Sequence, residues 1–345
     1  MIMAGTDWSG PTLSLVAGVL SGSTFAPMKR IKNWPWENWF LIVVFAYACS
    51  PWTVAALSIH DLTSVYRLAG HTIVLETLFL GMAWGFSVVL AGKGFDLVGY
   101  SISTALRYGL SISLGSLGAL CLIDRMKLFS SAGLKILIWD TVLLLGVGLC
   151  AQASHLRETP IDKFRPAGHD QLKASRFSAR LGIVCSLLAG VFSTLLNIAL
   201  TNGEPIRRQA IALGSDPNWA ANAIWSLAVS ASSIPTIVWC SYLVTRKSSW
   251  SVYRKPHARA NFLLCVVMAG LWIAGTVLYG VSSARMGRLG PAVSWPLYMT
   301  SLIITGNLWG WAWSEWGGAS ARSVRLFWSG VAVQVLGIVL LSASQ

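Results

Sequence analysis

Three ionisable side chains, Glu76, Arg107 and Asp140, lie inside long apolar runs. A charge at the centre of a membrane-crossing helix costs about 2.5–3.5 kcal/mol on insertion scales, so each needs a partner, a wet cavity or an interface. Glu76 is near the edge of its run, where a carboxylate reaches headgroups or water. Arg107 lies 12 residues into the run 95–121, roughly 18 Å at 1.5 Å per residue. Asp140 lies 9 residues into the run 131–151, about 13 Å from the opposite end. At these matched depths the two are expected to pair or to face one cavity. A guanidinium keeps its proton in a protein, so Asp140 is the expected proton carrier, with Glu76 the second choice.

Uncharged polar groups add to this set. Ser103 and Arg107 map onto Ser294 and Tyr298 at a constant offset of 191 residues. Hydroxyls and one cation a helical turn apart on two related helices suit a polyol, which needs directional hydrogen bonds and few fixed charges. Trp84, Trp272 and Trp295 offer flat faces for the C–H side of a sugar ring, whereas most of the 18 tryptophans lie near the ends of apolar runs, where Trp marks the membrane interface. Asn197 and Asn222 either face the same cavity or bond a neighbouring helix. Asp216-Pro217 reads as a helix start, with Asp capping and Pro at the first helical position.

The elements that must hold these residues follow from composition. Of 345 residues, 54% are hydrophobic and 11% charged, and mean hydropathy is +0.61. Soluble domains carry about a quarter charged residues, so the chain is read as an all-α polytopic membrane protein. With roughly 20 apolar residues per crossing, ten spans are expected near 9–28, 37–58, 71–92, 95–121, 131–151, 178–200, 217–245, 261–282, 289–312 and 325–344. The runs are continuously apolar, which excludes the alternating strands of a β-barrel. Residues 1–8 lack the basic start of a cleavable signal, so the first run is expected to remain as a span. Loops after spans 1, 3, 5, 7 and 9 hold 17 lysines and arginines against 8 in the other loops and termini, which places both termini on the periplasmic side. The net charge of +13 is thereby a property of loops facing the cytoplasm and gives no indication of nucleic acid.

A polar stretch at 152–177 divides the chain into a first unit, 1–151, and a second, 178–345. The units match internally: Leu15–Ser21 (LVAGVLS) with Leu187–Ser193 (LLAGVFS), Trp84 and Gly92 with Trp272 and Gly280, Gly99 and Gly115 with Gly290 and Gly306, and Leu145-Gly146 with Leu336-Gly337. Five spans per unit is odd, so the second unit is expected upside down relative to the first. Such inverted repeats place a substrate site near the bilayer midplane.

Other chemistries lack residues. Six cysteines are spread singly and five histidines show no metal-binding spacing, so no metal or other cofactor is expected. Gly92-Lys93-Gly94 lacks the remainder of a phosphate loop, and no nucleophile–base set sits at one depth, so no enzyme is expected. Coupling to an ion gradient, or exchange, remains.

The stretch Ser21–Glu37 (SGSTFAPMKRIKNWPWE) resembles the first-loop pattern of the L-rhamnose–proton symporter family, within the drug/metabolite transporter superfamily. Gly81–Gly85 (GMAWG), Gly146–Gly148 (GVG), Gly190–Ser193 (GVFS), Ala212–Pro217 (ALGSDP), Ser294-Trp295 and Ser314–Trp316 (SEW) continue the resemblance in order. It implies ten helices in two inverted halves and proton-driven uptake of a deoxy sugar or related small carbohydrate across a bacterial inner membrane. Two departures concern the substrate. Phe86–Leu90 (FSVVL) replaces expected asparagines, and Arg107 and Asp140 stand where the family suggests apolar or small residues. A permanent cation there would suit an acidic sugar. The wider superfamily supplies a further alternative, an exporter or exchanger of drugs or metabolites.

Overall fold

In a bilayer every backbone N–H and C=O must find a partner within the protein, which continuous apolar runs achieve as helices. The computed structural model describes residues 8–98, 100–123, 126, 130–158, 169–313, 316 and 318–343. Gly99, Ser314, Glu315 and linker residues 159–168, all used in the sequence reading, lie outside the described residues, as do both chain ends.

The helices are α1 (Ser9–Gly22), α2 (Trp36–Ser58), α3 (Leu62–Ala69), α4 (His71–Val98), α5 (Tyr100–Ile123), α6 (Ser131–Glu158), α7 (His169–Ser193), α8 (Leu195–Asn202), α9 (Glu204–Ala212), α10 (Asn222–Arg246), α11 (Ala258–Arg285), α12 (Gly290–Ala312) and α13 (Ala321–Ala343). Short 3₁₀ turns at Ala26–Arg30, Ser249–Arg254 and Gly287–Leu289 join some of them. No strand occurs among the described residues.

Eight stretches are long and apolar enough to cross a membrane: those in α2, α4, α5, α6, α10, α11 and α13, and the run Arg180–Ala212. Two of the ten expected spans, those of α1 and α12, are not among them. Helix α1 has 14 residues, about 21 Å of axis, and packs on α11 and α12. Helix α12 is wrapped by α1, α5 and α11 and buries Ser294, Tyr298, Thr300 and Thr305. A helix shielded from lipid by its neighbours can carry hydroxyls that a lipid-facing one could not.

Several expected boundaries move: α1 ends at Gly22 rather than 28, α4 runs to Val98 rather than 92, α5 begins at Tyr100 rather than 95, and α10 begins at Asn222 rather than 217. The sixth span is broken after Ser193 and again at Gly203, giving α7, α8 and α9. The Thr194 hydroxyl donates to the Val191 carbonyl at 2.7 Å, the local competition by which a threonine interrupts a helical ladder. The expected linker 152–177 is largely helical, because α6 continues to Glu158 and α7 begins at His169.

The packing pairs α2 with α10 and α11, α4 with α7 and α10, α5 with α6, α7 and α12, and α6 with α13. Glycine permits two close approaches between helices. A Cβ on Gly18 of α1 would lie 2.5 Å from the Tyr298 carbonyl of α12, and a Cβ on Gly190 of α7 would lie 2.9 Å from the Arg107 carbonyl of α5.

Candidate functional site

At one end of the bundle two connecting segments are latched together, and at the other end a cavity opens. The latch is built from the segment Lys32–Asn38 lying on Lys247–Asn261. Trp34 Nε1 donates to the Val252 carbonyl at 3.1 Å, and Asn38 Nδ2 to the Ser249 carbonyl at 3.2 Å. Asn261 brackets Lys32, its Nδ2 donating to the Lys32 carbonyl at 2.8 Å and its Oδ1 accepting from the Lys32 amide at 3.2 Å. Lys247 Nζ stands 3.0 Å from the carboxylate of Glu37, whose side chain is fully buried. Behind the latch Trp34, Val43, Val44, Val252, Cys265 and Met268 form a closed apolar cluster.

At the other end a cavity of about 610 Å³ opens between the start of α4 (Ile73), the end of α5 (Leu122, Ile123), the α8–α9 junction (Thr201, Asn202, Glu204, Arg207, Arg208), the end of α11 (Gly280, Ser283) and Arg288 and Pro291. Glu204 holds Arg207 at 2.7 Å and Arg208 at 3.1 Å. The floor is aromatic. A Cβ on Gly280 would come within 2.7 Å of Trp225 Nε1, and Tyr279 stacks on Tyr298 at 5.0 Å between ring centres.

The residues singled out from the sequence occupy four places. Asn197 lies at the floor: its Nδ2 donates to the carbonyls of Gly115 (2.9 Å) and Pro291 (3.0 Å), and its Oδ1 accepts from the Tyr279 hydroxyl. It ties α8 to α5, α12 and α11 with its donors committed. Trp295 is there too, its Nε1 donating to the Ser111 carbonyl at 2.7 Å, and Ser294 adjoins Tyr279. Deeper in, Tyr298 donates to Ser21 Oγ at 2.9 Å. The second place is an aromatic stack of Trp84 on Trp272 (5.6 Å, 22°), with Tyr47 4.6 Å from Trp272. The buried Tyr47 hydroxyl has no hydrogen-bond partner. The third is α5, where Ser103 shares a 2.8 Å hydrogen bond with Ser186 of α7. Arg107 rests its guanidinium over its neighbour Tyr108, 5.2 Å from the ring centre, and its Nε is unpartnered. The fourth is the cavity rim, where exposed Glu76 accepts from Asn202 Nδ2 at 2.9 Å. None of these residues is itself a wall of the 610 Å³ cavity; they lie on its floor, beneath it or beside its rim. Asn222 instead bonds Ser58 Oγ at 2.9 Å; the expected helix start at Asp216-Pro217 is a turn, in which Asp216 accepts from the Asn218 amide at 2.7 Å, and α10 begins only at Asn222.

The expected Arg107–Asp140 pair is not formed. Both Asp140 oxygens are buried without a hydrogen bond, and Ser116 of α5 is the hydroxyl beside them. Register explains the difference. Helices α5 and α6 are antiparallel neighbours separated by a short connection, so depth is counted from Ile123 and Ser131. Ser116 is seven residues in and Asp140 nine, whereas Arg107 is sixteen residues in, about 14 Å of helix axis beyond Ser116.

A family model for the L-rhamnose–proton symport protein matches residues 8–344. The chain belongs to that family. Among curated relatives, the L-rhamnose-proton symporter of Klebsiella pneumoniae (strain 342) is 24% identical over 330 residues, 93% of either chain. That of Cronobacter sakazakii is 25% identical over 330 residues, with the same coverage, and that of Shigella sonnei is 24% identical over 337 residues, covering 94% of this chain and 95% of its own. All are named as transporters. Family membership and the apolar helices together make this a multi-pass helical membrane protein.

Sequence reasoning missed Tyr47, Trp225, Tyr279, Ser116 and the Glu37–Lys247 pair. A signal for Tyr279 was present, a phenol immediately before the matched Gly280. Glu37 stood in the first-loop motif but at the start of a span, where a charge attracts no notice.

Proposed function

We propose that this protein imports a deoxy sugar or related small carbohydrate together with protons across a bacterial inner membrane, by alternating access between two inverted five-helix units. The observation that carries the reading is the family match along nearly the whole chain, joined to a bundle latched between Lys32–Asn38 and Lys247–Asn261 at one end and open at the other. The basic loops lie at the latched end, which is therefore assigned to the cytoplasm, with both termini periplasmic.

Ten crossings and inverted units are supported by the packing. Exchanging spans 1–5 with 6–10 carries the pairs α4·α7, α5·α7 and α4·α10 onto α1·α11, α1·α12 and α2·α11, all of which pack. The Gly18–Tyr298 approach repeats as Gly190–Arg107, the same residues that the offsets of 172 and 191 relate. Single crossings for α1 and α12, and division at 152–177, follow from that correspondence.

In this reading Tyr47, Trp84 and Trp272 form the face for the sugar ring, with Tyr298, Ser103, Arg107 and Ser294 as polar contacts. Asn197 and Trp295 position the floor. Asp140 carries the proton, and Glu76 serves the rim. The unpartnered Arg107 Nε favours one variant, an acidic sugar held by the guanidinium. The test is uptake of labelled L-rhamnose and of a hexuronate into proteoliposomes with and without an inward proton gradient. Uptake that ignores the gradient refutes coupling. Preference for the hexuronate, lost in Arg107→Gln, selects the variant.

A further inference from the structure

Proline at position 296 has no N–H, so it cannot bond the carbonyl four residues earlier in α12, that of Ala292. In a membrane interior such a freed carbonyl must be satisfied by a neighbour. The neighbour is Ser116: its Oγ donates to the Ala292 carbonyl at 2.6 Å, with both groups buried. This bond crosses the α5–α12 seam next to the Asn197 bridges to Gly115 and Pro291, one residue before Ser116 and Ala292 respectively.

A serine hydroxyl has one hydrogen to give. While it serves Ala292, Ser116 cannot donate to Asp140, whose two oxygens accordingly have no hydrogen bond. A neutral carboxyl tolerates this arrangement, since its own O–H can point at a Ser116 lone pair. An ionised carboxylate accepts only, and hydrogen bonds to an ionised acceptor are about twice as strong as neutral ones. Other groups offer no alternative. Among the described side chains, the ionisable ones on the elements packed against α6 are Arg107, Tyr108 and Cys121 of α5, Tyr298 of α12, and Arg322 and Arg325 of α13. With Lys135, Cys150 and His155 of α6 itself, none of them bonds Asp140 among the described residues.

We infer that Ser116 is a positioning residue that converts the charge state of Asp140 into the state of the α5–α12 seam. With Asp140 protonated, Ser116 holds the carbonyl freed by Pro296 and the seam is closed. When Asp140 releases its proton to water, Ser116 keeps its own hydrogen but rotates it to the carboxylate, and the Ala292 carbonyl loses its donor. The floor of the cavity is pinned to the same residues through Asn197, so the proton and the cavity share one joint. The link of this toggle to transport, though not the toggle itself, rests on the proposed role of Asp140 as the proton carrier.

The experiment measures two things separately on the full-length protein in proteoliposomes. The first is the pH midpoint of the infrared carbonyl band of protonated Asp140, identified by its disappearance in Asp140→Asn. Ser116→Ala removes the donor that favours the carboxylate, so the midpoint rises by about one pH unit; Ser116→Thr, which keeps a hydroxyl, restores it. A Ser116→Ala protein that folds and titrates at the wild-type midpoint overturns the inference, as does an Asp140 band that never titrates. The second is gradient-driven L-rhamnose uptake in Asp140→Asn. Intact proton coupling there removes Asp140 as the carrier, while a shifted band in Ser116→Ala still upholds the toggle. A merely structural serine would lower uptake at every pH and leave the midpoint unmoved.

Discussion

Removing Lys247 should open the latched end. Glu37 is wholly buried and Lys247 is about half exposed. Breaking a fully buried ion pair by deleting one partner costs about 3–5 kcal/mol, because the remaining charge is stranded. Solvent around Lys247 screens the interaction and lowers this to roughly 1–3 kcal/mol. The cost is borne only by the latched state, since opening hydrates Glu37. At 1.36 kcal/mol per factor of ten, the open population rises by about 5- to 150-fold. Cys265 reports it: the thiol is fully buried behind the latch and bonds the Trp39 carbonyl. In a chain whose other five cysteines are serine, Lys247→Ala should raise the rate of Cys265 alkylation by that factor. Adding Glu37→Gln removes the stranded charge and should bring the rate back toward the starting value. An unchanged rate in Lys247→Ala, or a double variant as reactive as the single one, would refute the assignment of this pair as a latch.

Asn197→Leu removes two donors and the acceptor for Tyr279, leaving that phenol buried without a partner; at about 0.5–1.5 kcal/mol per bond, a loss of roughly 2–4 kcal/mol is expected in denaturant unfolding, and a wild-type midpoint would contradict it. Gly18→Val and Gly190→Val each drive side-chain atoms into a carbonyl of the facing helix, so both should fail to accumulate as folded protein, while Gly270→Val, where a Cβ meets nothing within 4 Å, should fold. Hydrogen bonding from Ser64 holds the Asp61 carboxyl below its ordinary range. A depressed acid contributes above its unfolded pKa and loses that contribution as pH falls through the folded value, so protection of the Ser64 amide should persist at pH 5 and fade only below about 4; fading between pH 7 and 5 would contradict the cap.

The spans were legible because apolar length is a one-dimensional property: α2, α11 and α12 begin and end within three residues of expectation, while α4 runs six residues longer and α10 starts five residues later. What was not legible depends on who stands opposite whom. Arg107 and Asp140 looked paired because depth was measured from opposite ends of two runs, so errors at both ends added. Counting both from the facing helix ends, Ile123 and Ser131, would have placed Asp140 near Ser116. The broken sixth span escaped notice because Thr194 and Gly203 are ordinary in membrane helices until a neighbour supplies hydrogen bonds. Asn197 was recognised as either ligand or bridge, and only its three partners decide for the bridge. Glu37 was hidden by position: a first-turn glutamate normally faces water, and burial here requires Lys247, 210 residues away.

The walls of the open cavity come from the tips of helices and their connecting turns, whereas the aromatic stack and the Asn197 pin come from helix interiors. Tips can be re-lettered while the packing beneath them is kept. A scaffold divided in this way can drift in what it admits at its mouth while its interior grip stays constant. Exchanging the segment 200–208 between distant family members should therefore change the rate of entry and leave the preference for the ring unchanged.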